Sequence, residues 1–173
     1  NPNEFALDAG YSRVFGNNIS GGMAFRYIRS DLTGGINAES TGTKAGNSVS
    51  ADLSTFYQNE IKISGKDAVL GIGASITNIG VKISYTENQE KSFIPINLRL
   101  GSSLKFDIDD YNSFTFAFDV NKLLVPTTPV WYEDSTDVNG DLVVEYGKNP
   151  YVSVPQGMLQ SFYDAPGVLK TDG

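Results

Sequence analysis

A strict two-residue alternation of apolar and polar side chains, kept up over long stretches, constrains this chain more than any other feature. Between Ile94 and Phe106 one phase reads Ile94, Ile96, Leu98, Leu100, Ser102, Leu104, Phe106. The other reads Pro95, Asn97, Arg99, Gly101, Ser103, Lys105. Side chains of a β-strand point to opposite faces with period two, so this pattern predicts a strand with one greasy and one polar face. The same split recurs elsewhere. Phe5, Leu7, Ala9 and Tyr11 oppose Glu4, Asp8 and Ser12; Met23, Phe25 and Tyr27 oppose Gly22, Ala24 and Arg26. Val49, Ala51, Leu53 and Tyr57 oppose Ser50, Asp52 and Ser54, and Phe114, Phe116, Phe118 and Val120 oppose Thr115, Ala117 and Asp119. Leu70, Ile72, Ala74 and Ile76 keep one phase, and Ile79, Val81, Ile83 and Tyr85 take up the other, a slip beside Gly80 that predicts a β-bulge.

Strands are expected at about residues 4–15, 19–30, 48–63, 68–86, 93–107 and 113–121. These exceed the usual length in water-soluble domains, roughly 5–6 residues, and reach the roughly 9–11 that a tilted strand needs to cross a bilayer. The charges Asp8, Arg26, Asp52, Arg99, Lys105 and Asp119 all fall on the polar phase. On the apolar phase, charge occurs at strand ends (Arg13, Arg29, Lys122), where long side chains reach headgroups. Lipid accepts a closed, fully hydrogen-bonded sheet, with the opposite face lining a polar lumen. The fold class is therefore all-β, an antiparallel transmembrane β-barrel with those six charges facing the lumen. Tyr11, Tyr27, Tyr57 and Tyr85 near apolar-face ends suit an aromatic girdle. A soluble β-sandwich alternates too, and it remains the rival fold.

The connections point the same way. Links at 16–18, 64–67 and 107–113 are short or rich in turn residues, whereas 31–47, 86–92 and everything after 121 are longer or more polar. Outer-membrane barrels alternate short periplasmic turns with longer outside loops. Residues 122–167 read as an extracellular loop region, within a single barrel domain spanning 1–173. The chain has neither Cys nor His and a net charge of −7. Those absences remove disulfides, Cys- or His-based nucleophile pairs and the usual zinc sites. The acidic balance argues against nucleic acid, which selects clustered Lys and Arg.

Asp137, Asn139 and Asp141 resemble a calcium loop, but Gly140 falls at loop position four and Lys148 at position twelve, where an EF-hand needs Gly at six and Glu at twelve. Asn139-Gly140 is better read as a type I′ hairpin turn. Gly71 and Gly73 lack the third glycine and the following helix of a dinucleotide loop. Asp107, Asp109 and Asp110 read as a solvated turn before a weak cation site. Asp52 and Arg99 are candidates for pairing across the barrel. The stretch with Val125, Pro126, Pro129, Trp131 and Tyr132 carries the sole Trp and two prolines unsuited to a central ladder. It is read equally as a partner-binding surface or as a loop folded back over the barrel mouth.

Longer strings carry a family resemblance. Phe93-Ile94-Pro95-Ile96-Asn97-Leu98-Arg99-Leu100-Gly101, the Asp109–Ala117 stretch and Asp119-Val120-Asn121-Lys122-Leu123-Leu124-Val125-Pro126 are similar to the PorV family. Ser50-Ala51-Asp52-Leu53, Ser75–Tyr85 and Gln160-Ser161-Phe162-Tyr163-Asp164-Ala165-Pro166-Gly167 resemble it too, so the likeness runs over most of 4–167. It departs at Val168–Gly173, where an acidic helical continuation is expected. The family is the outer-membrane component of the type IX secretion system, within the FadL-like barrel superfamily. Six strands, with one or two more after residue 140, are fewer than the about fourteen of such a wall, so the chain is read as a partial barrel.

What the resemblance implies is a non-enzymatic outer-membrane protein with no cofactor or metal and with loops facing the exterior. Its implied partners are outer-membrane lipid, a SprA-type translocon, cargo proteins with a C-terminal signal domain, and a PorU-type sortase. The first candidate contact surface is the stretch with Pro126, Pro129 and Trp131; loop 31–47 is the second. The alternative is a FadL-like transporter of hydrophobic small molecules, which needs an apolar lumen pocket. A barrel enzyme is disfavoured by the missing His, and a soluble adhesin domain would partition into water.

Overall fold

A computed structural model of the chain describes residues 2–32, 44–86, 91–137 and 142–167. Six strands form one antiparallel meander: β1 (Asn3–Val14), β2 (Ile19–Asp31), β3 (Gly46–Ile63), β4 (Lys66–Gly80), β5 (Asn97–Asp107) and β6 (Ser113–Leu123). β7 (Val130–Thr136) and β8 (Leu142–Tyr146) pair in a separate sheet, and a short helix, α1 (Val154–Gln160), follows. The chain divides into two compact units, Asn1–Lys122 and Leu123–Gly173.

The alternation explains why the first unit adopts this form. Among the described residues its buried apolar side chains are Ala68, Ile83, Ile94 and Ile96. Its large apolar residues stand instead in rows on the outside: Phe5, Leu7 and Tyr11 on β1, Met23, Phe25 and Tyr27 on β2, and Phe114, Phe116, Phe118 and Val120 on β6. Leu7 is 71% exposed and Phe116 62% exposed. A sandwich would bury this face under a second layer. Here the described residues place nothing over it, so its natural solvent is hydrocarbon. The lengths agree: the 11 residues of β5 or β6 extend about 36 Å, and a tilt of about 45° brings that to about 25 Å, the height of an outer-membrane apolar band.

The sheet is open. β1 and β6 are its edge strands, and among the described residues no strand pairs with the outer side of either. This is a partial barrel wall. Short turns join the strands at one end. Between β3 and β4, Ser64 and Gly65 both take positive φ (50° and 81°), the requirement of a two-residue type I′ turn. Gly16 also takes positive φ, at 117°, between β1 and β2. The long connections leave from the opposite end.

The expected slip in β4 is present. Ala51 pairs with Ile79 and Leu53 with Ile76, so Thr77 and Asn78 together face Asp52. Two departures from the expected strands lie next to it. β4 ends at Gly80 rather than near 86, and β5 begins at Asn97 rather than 93. Pro95 has no N–H for the ladder, and the Ile96 N–H donates to the Ile94 carbonyl (2.8 Å) in a tight turn. Ile94 and Ile96, placed by alternation on the lipid face, are 5% and 0% exposed. Tyr85, expected in the aromatic girdle, lies with Ile83 against Gly46.

The two faces give a direct test. In the full-length protein folded into lipid vesicles, Phe116→Arg is expected to lower unfolding stability by about 2–4 kcal/mol, because it puts a cation into hydrocarbon. Thr115→Arg, one residue away on the polar face, is expected to cost under about 1 kcal/mol. Chemical denaturation followed by tryptophan fluorescence reads both.

Candidate functional site

The polar phase becomes one continuous inner surface, and five of its six expected charges (Asp8, Arg26, Asp52, Arg99 and Asp119) are paired. Asp8 and Arg26 are direct cross-strand partners in the β1–β2 register. The Arg26 Nε donates to Asp8 Oδ1 at 2.5 Å, and its Nη2 lies 3.5 Å from Asp52 Oδ2. The bulge completes the cluster. Asn78 sits at φ 60°, a left-handed conformation that Asn tolerates better than most residues. Its backbone N–H donates to Asp52 Oδ1 (2.7 Å), its Oδ1 accepts from Arg26 Nη1 (2.6 Å), and its Nδ2 donates to the Pro95 carbonyl (3.1 Å). Four segments are thereby tied at one point. Asn78 is the residue of this cluster that the alternation alone does not single out; its signal in the sequence is an Asn at the phase change.

A second pair, Arg99 Nη2 to Asp119 Oδ2 at 3.1 Å, bridges β5 and β6. Arg99 thus pairs with Asp119, not with Asp52. The register shows why: Arg99 is opposite Ser75 on β4, which separates β5 from β3. Lys105 keeps the same phase as Arg99 but lies nearer the short-turn end, opposite Val69. Between these charges the surface dips into a hollow of about 390 Å³, lined by Ser54, Phe56, Gly71, Gly73, Arg99 and Asp119 among others. The glycines let side chains of the neighbouring strands lean over the wall here. A Cβ on Gly71 would come within 2.6 Å of Ser103 Oγ, and one on Gly101 would collide with the Asp119 carboxylate.

At the long-connection end the inner surface is covered. Residues 81–86 and 91–96 form two antiparallel arms, with Ile83 and Ser92 exchanging both backbone hydrogen bonds at 2.8 Å. Lys82 Nζ stands 4.2 Å over the Phe93 ring. Ser48 Oγ donates to the Val81 carbonyl (2.6 Å), and Ile83 and Ile94 fill the space in front of Gly46 and Gly80.

The contact residues expected in the second unit are largely engaged within it. Pro129 is buried against Gly147, whose φ is 100°. Trp131 is half-buried and stacks on Tyr151 with 6.1 Å between ring centroids, and Val125 and Pro126 are half-buried. Tyr132 is exposed. The buried Asp164 holds this unit together by accepting from the Thr127 N–H and Oγ1, both at 2.8 Å. β7 and β8 pair as a hairpin, while Asn139 and Gly140 lie outside the described residues.

In the β5–β6 turn, Asp109 Oδ1 accepts from the Tyr111 N–H (2.9 Å) and from the Asn112 N–H (2.8 Å) and Nδ2 (2.9 Å). The Asn112 side-chain bond, and then the Tyr111 N–H, hold its carboxyl below the ordinary Asp value. Among the described residues no group of three acidic side chains is arranged to hold a metal.

An open antiparallel sheet with a bare apolar outer face and an ion-paired inner one defines the class: a wall of an outer-membrane-type β-barrel. The family follows from comparison. The family model of the type IX secretion system protein PorV matches residues 1–130, which include all six strands of the wall. The chain belongs to the PorV family, and is thereby a component of the type IX secretion system associated with the outer membrane. No curated protein matches it.

Two measurements probe the site. Arg26 side chains are 29% exposed and its partner Asp52 20%, so Arg26→Ala is expected to cost about 1–3 kcal/mol by leaving two carboxylates without their cation. Arg99→Ala removes a wetter pair, 57% and 47% exposed, and is expected to cost at most about 1 kcal/mol; denaturant unfolding in micelles compares them. Because the folded Asp109 carboxyl is depressed, its stabilisation of the turn is present above the unfolded value and is lost as pH falls through the folded one. Asn112→Ala should move its titration up toward ordinary Asp, read by carboxyl NMR shifts.

Proposed function

We propose that this protein collects secreted cargo carrying a C-terminal signal domain as it leaves a SprA-type translocon, and passes it to a PorU-type sortase at the cell surface. The observation that carries the reading is the family match over the whole described wall. The exposed apolar face supports it physically, because a wall solvated by lipid anchors the protein and leaves the long connections to make contacts. In this reading those connections face the exterior, and the protein performs no catalysis.

Within the second unit, contact falls to exposed groups. Tyr132, 46% exposed, is the most accessible of the expected residues, and the Trp131–Tyr151 stack presents a rigid aromatic surface beside it in sequence. Such side chains contribute large contact area at small entropic cost. Pro129 acts from beneath, by shaping the segment. Most of loop 31–47, the second candidate surface, lies outside the described residues. A transporter of hydrophobic small molecules is less well supported, since the inner hollow is lined mainly by Ser, Gly and a charged pair.

Pull-down of cargo signal domains by the full-length protein tests the proposal. Tyr132→Ala and Trp131→Ala are each expected to weaken capture several-fold, by about 1–2 kcal/mol. Undiminished capture after deletion of both candidate loops would remove this assignment of the contact surface. Absence of any capture by the intact protein would remove the cargo role itself.

A further inference from the structure

The inner face of β3 runs through Gly46, Ser48, Ser50, Asp52, Ser54 and Phe56, all in one phase. In an open polar lumen these residues should be wet along the whole strand. They are not. Ser54 and Phe56 are exposed, whereas Gly46, Ser48 and Ser50 are buried, the two serines at 4% and 6% exposure. The neighbours on this side are apolar: Ile83 stands in front of Gly46, and Ile94 in front of Gly80, the cross-strand partner of Ser50. Ser50 Oγ is left without a hydrogen-bond partner among the described residues. A small hydroxyl-bearing residue is a natural choice for a water-facing wall and a poor one beneath isoleucine.

The covering arms are built rather than draped. They are bridged to each other at Ile83 and Ser92. They are fastened to the wall at the Ser48–Val81 bond, at the Val81 N–H to Val49 carbonyl bond (3.0 Å), and through Asn78 to the Pro95 carbonyl. Asn78 is itself fixed by the Arg26–Asp52 pair. Gly80 and Gly46 make the seat, since a Cβ at either position would occupy the space that Ile94 or Ile83 fills.

We infer that residues 81–86 and 91–96 form an inward-folded stopper that closes this side of the barrel lumen at its long-connection end, with Asn78 as the latch. The stopper is apolar where it meets the polar wall, so it excludes water at that level, as hydrophobic constrictions do in channels. The lumen below it, including the hollow at Ser54 and Arg99, stays hydrated. Asn78 is a positioning residue: it holds Pro95 and, through it, Ile94 and Ile96.

Cysteine accessibility in the full-length protein, folded in vesicles and treated with a membrane-impermeant maleimide, tests this. Ser54→Cys should react readily and Ser50→Cys about tenfold or more slowly, as protection by a local closed state requires. Asn78→Ala in the Ser50→Cys background should bring that rate toward the Ser54→Cys rate. Equal rates for the two cysteines in the otherwise unchanged protein would overturn the stopper. An unreactive Ser54→Cys would overturn the placement of this face in the lumen, and the stopper with it. Planar-bilayer conductance supplies a second readout. Ile83→Asp combined with Ile94→Asp, shown to be folded by its β-type circular dichroism, should conduct more than the unsubstituted protein. Unchanged conductance alongside faster Ser50→Cys labelling would overturn closure.

Discussion

In hydrocarbon a backbone N–H or carbonyl has no water to bond, and each one left alone costs several kcal/mol. Everything else in the wall depends on that constraint. It demands a continuous ladder, which β1–β6 supply from Asn3 to Leu123 with short turns at one end. It also dictates the side-chain pattern. Where neighbouring strands pair and the ladder takes their backbone groups, strands 11 to 18 residues long in β2–β6 display one face to lipid and the other to the lumen. Apolar residues on the first face are stabilised by their solvent rather than by a core. That is why a unit with so few buried apolar side chains still has a defined sheet.

The same constraint makes the bulge consequential. An extra residue in a ladder interrupts pairing and leaves its own groups to be satisfied. Here the Asp52 carboxylate takes the Asn78 N–H, and the Asn78 side chain bonds Arg26 and Pro95. The defect in the ladder becomes the point where wall charge and inward arms meet. Beyond it the chain changes role. β4 stops two residues later at Gly80, and the apolar residues that follow turn inward to form the small core of the first unit. A bulge that shifted phase without closing the ladder would have left Ile83 in the lipid row, as the alternation alone implies.

How much of this was legible in the sequence follows from what is local. Period-two patterning is a property of neighbours along the chain, so the six strands and the phase slip in β4 could be read from it. The short link at 64–67 was legible as a connection, and the structure narrows it to the two-residue turn at Ser64-Gly65. Pairing of charges is not local. Which carboxylate Arg26 meets depends on register and on the bulge, so Asp8 and Asp52 emerged as its partners only from the structure, and Arg99 found Asp119. Nor did alternation distinguish Ile94 and Ile96 from Leu98: all share a phase, and Pro95 alone signalled that the ladder had not yet begun. In the second unit, proline and tryptophan suggested a surface, but the buried carboxylate of Asp164, 37 residues from Thr127, decides how that segment is held.

These points bear on how a secretion barrel divides its tasks. On the proposed role, a protein that hands cargo along a membrane surface has no need for a conducting lumen, and an open one would leak. The inner face described here is better suited to rigidity than to transport. Five of its charges are paired in the wall, Gly46 and Gly80 admit close-packed isoleucines, and its long-connection end is occupied by its own chain. Rigidity has a use of its own. The arms that follow β4 and precede β5 are held at fixed points, and contacts made from a fixed frame lose less conformational entropy on binding than contacts made from a mobile one. The polar inner face thus has a structural consequence of its own: Asp52 and Arg26, through Asn78, hold Pro95 and the arm that carries it.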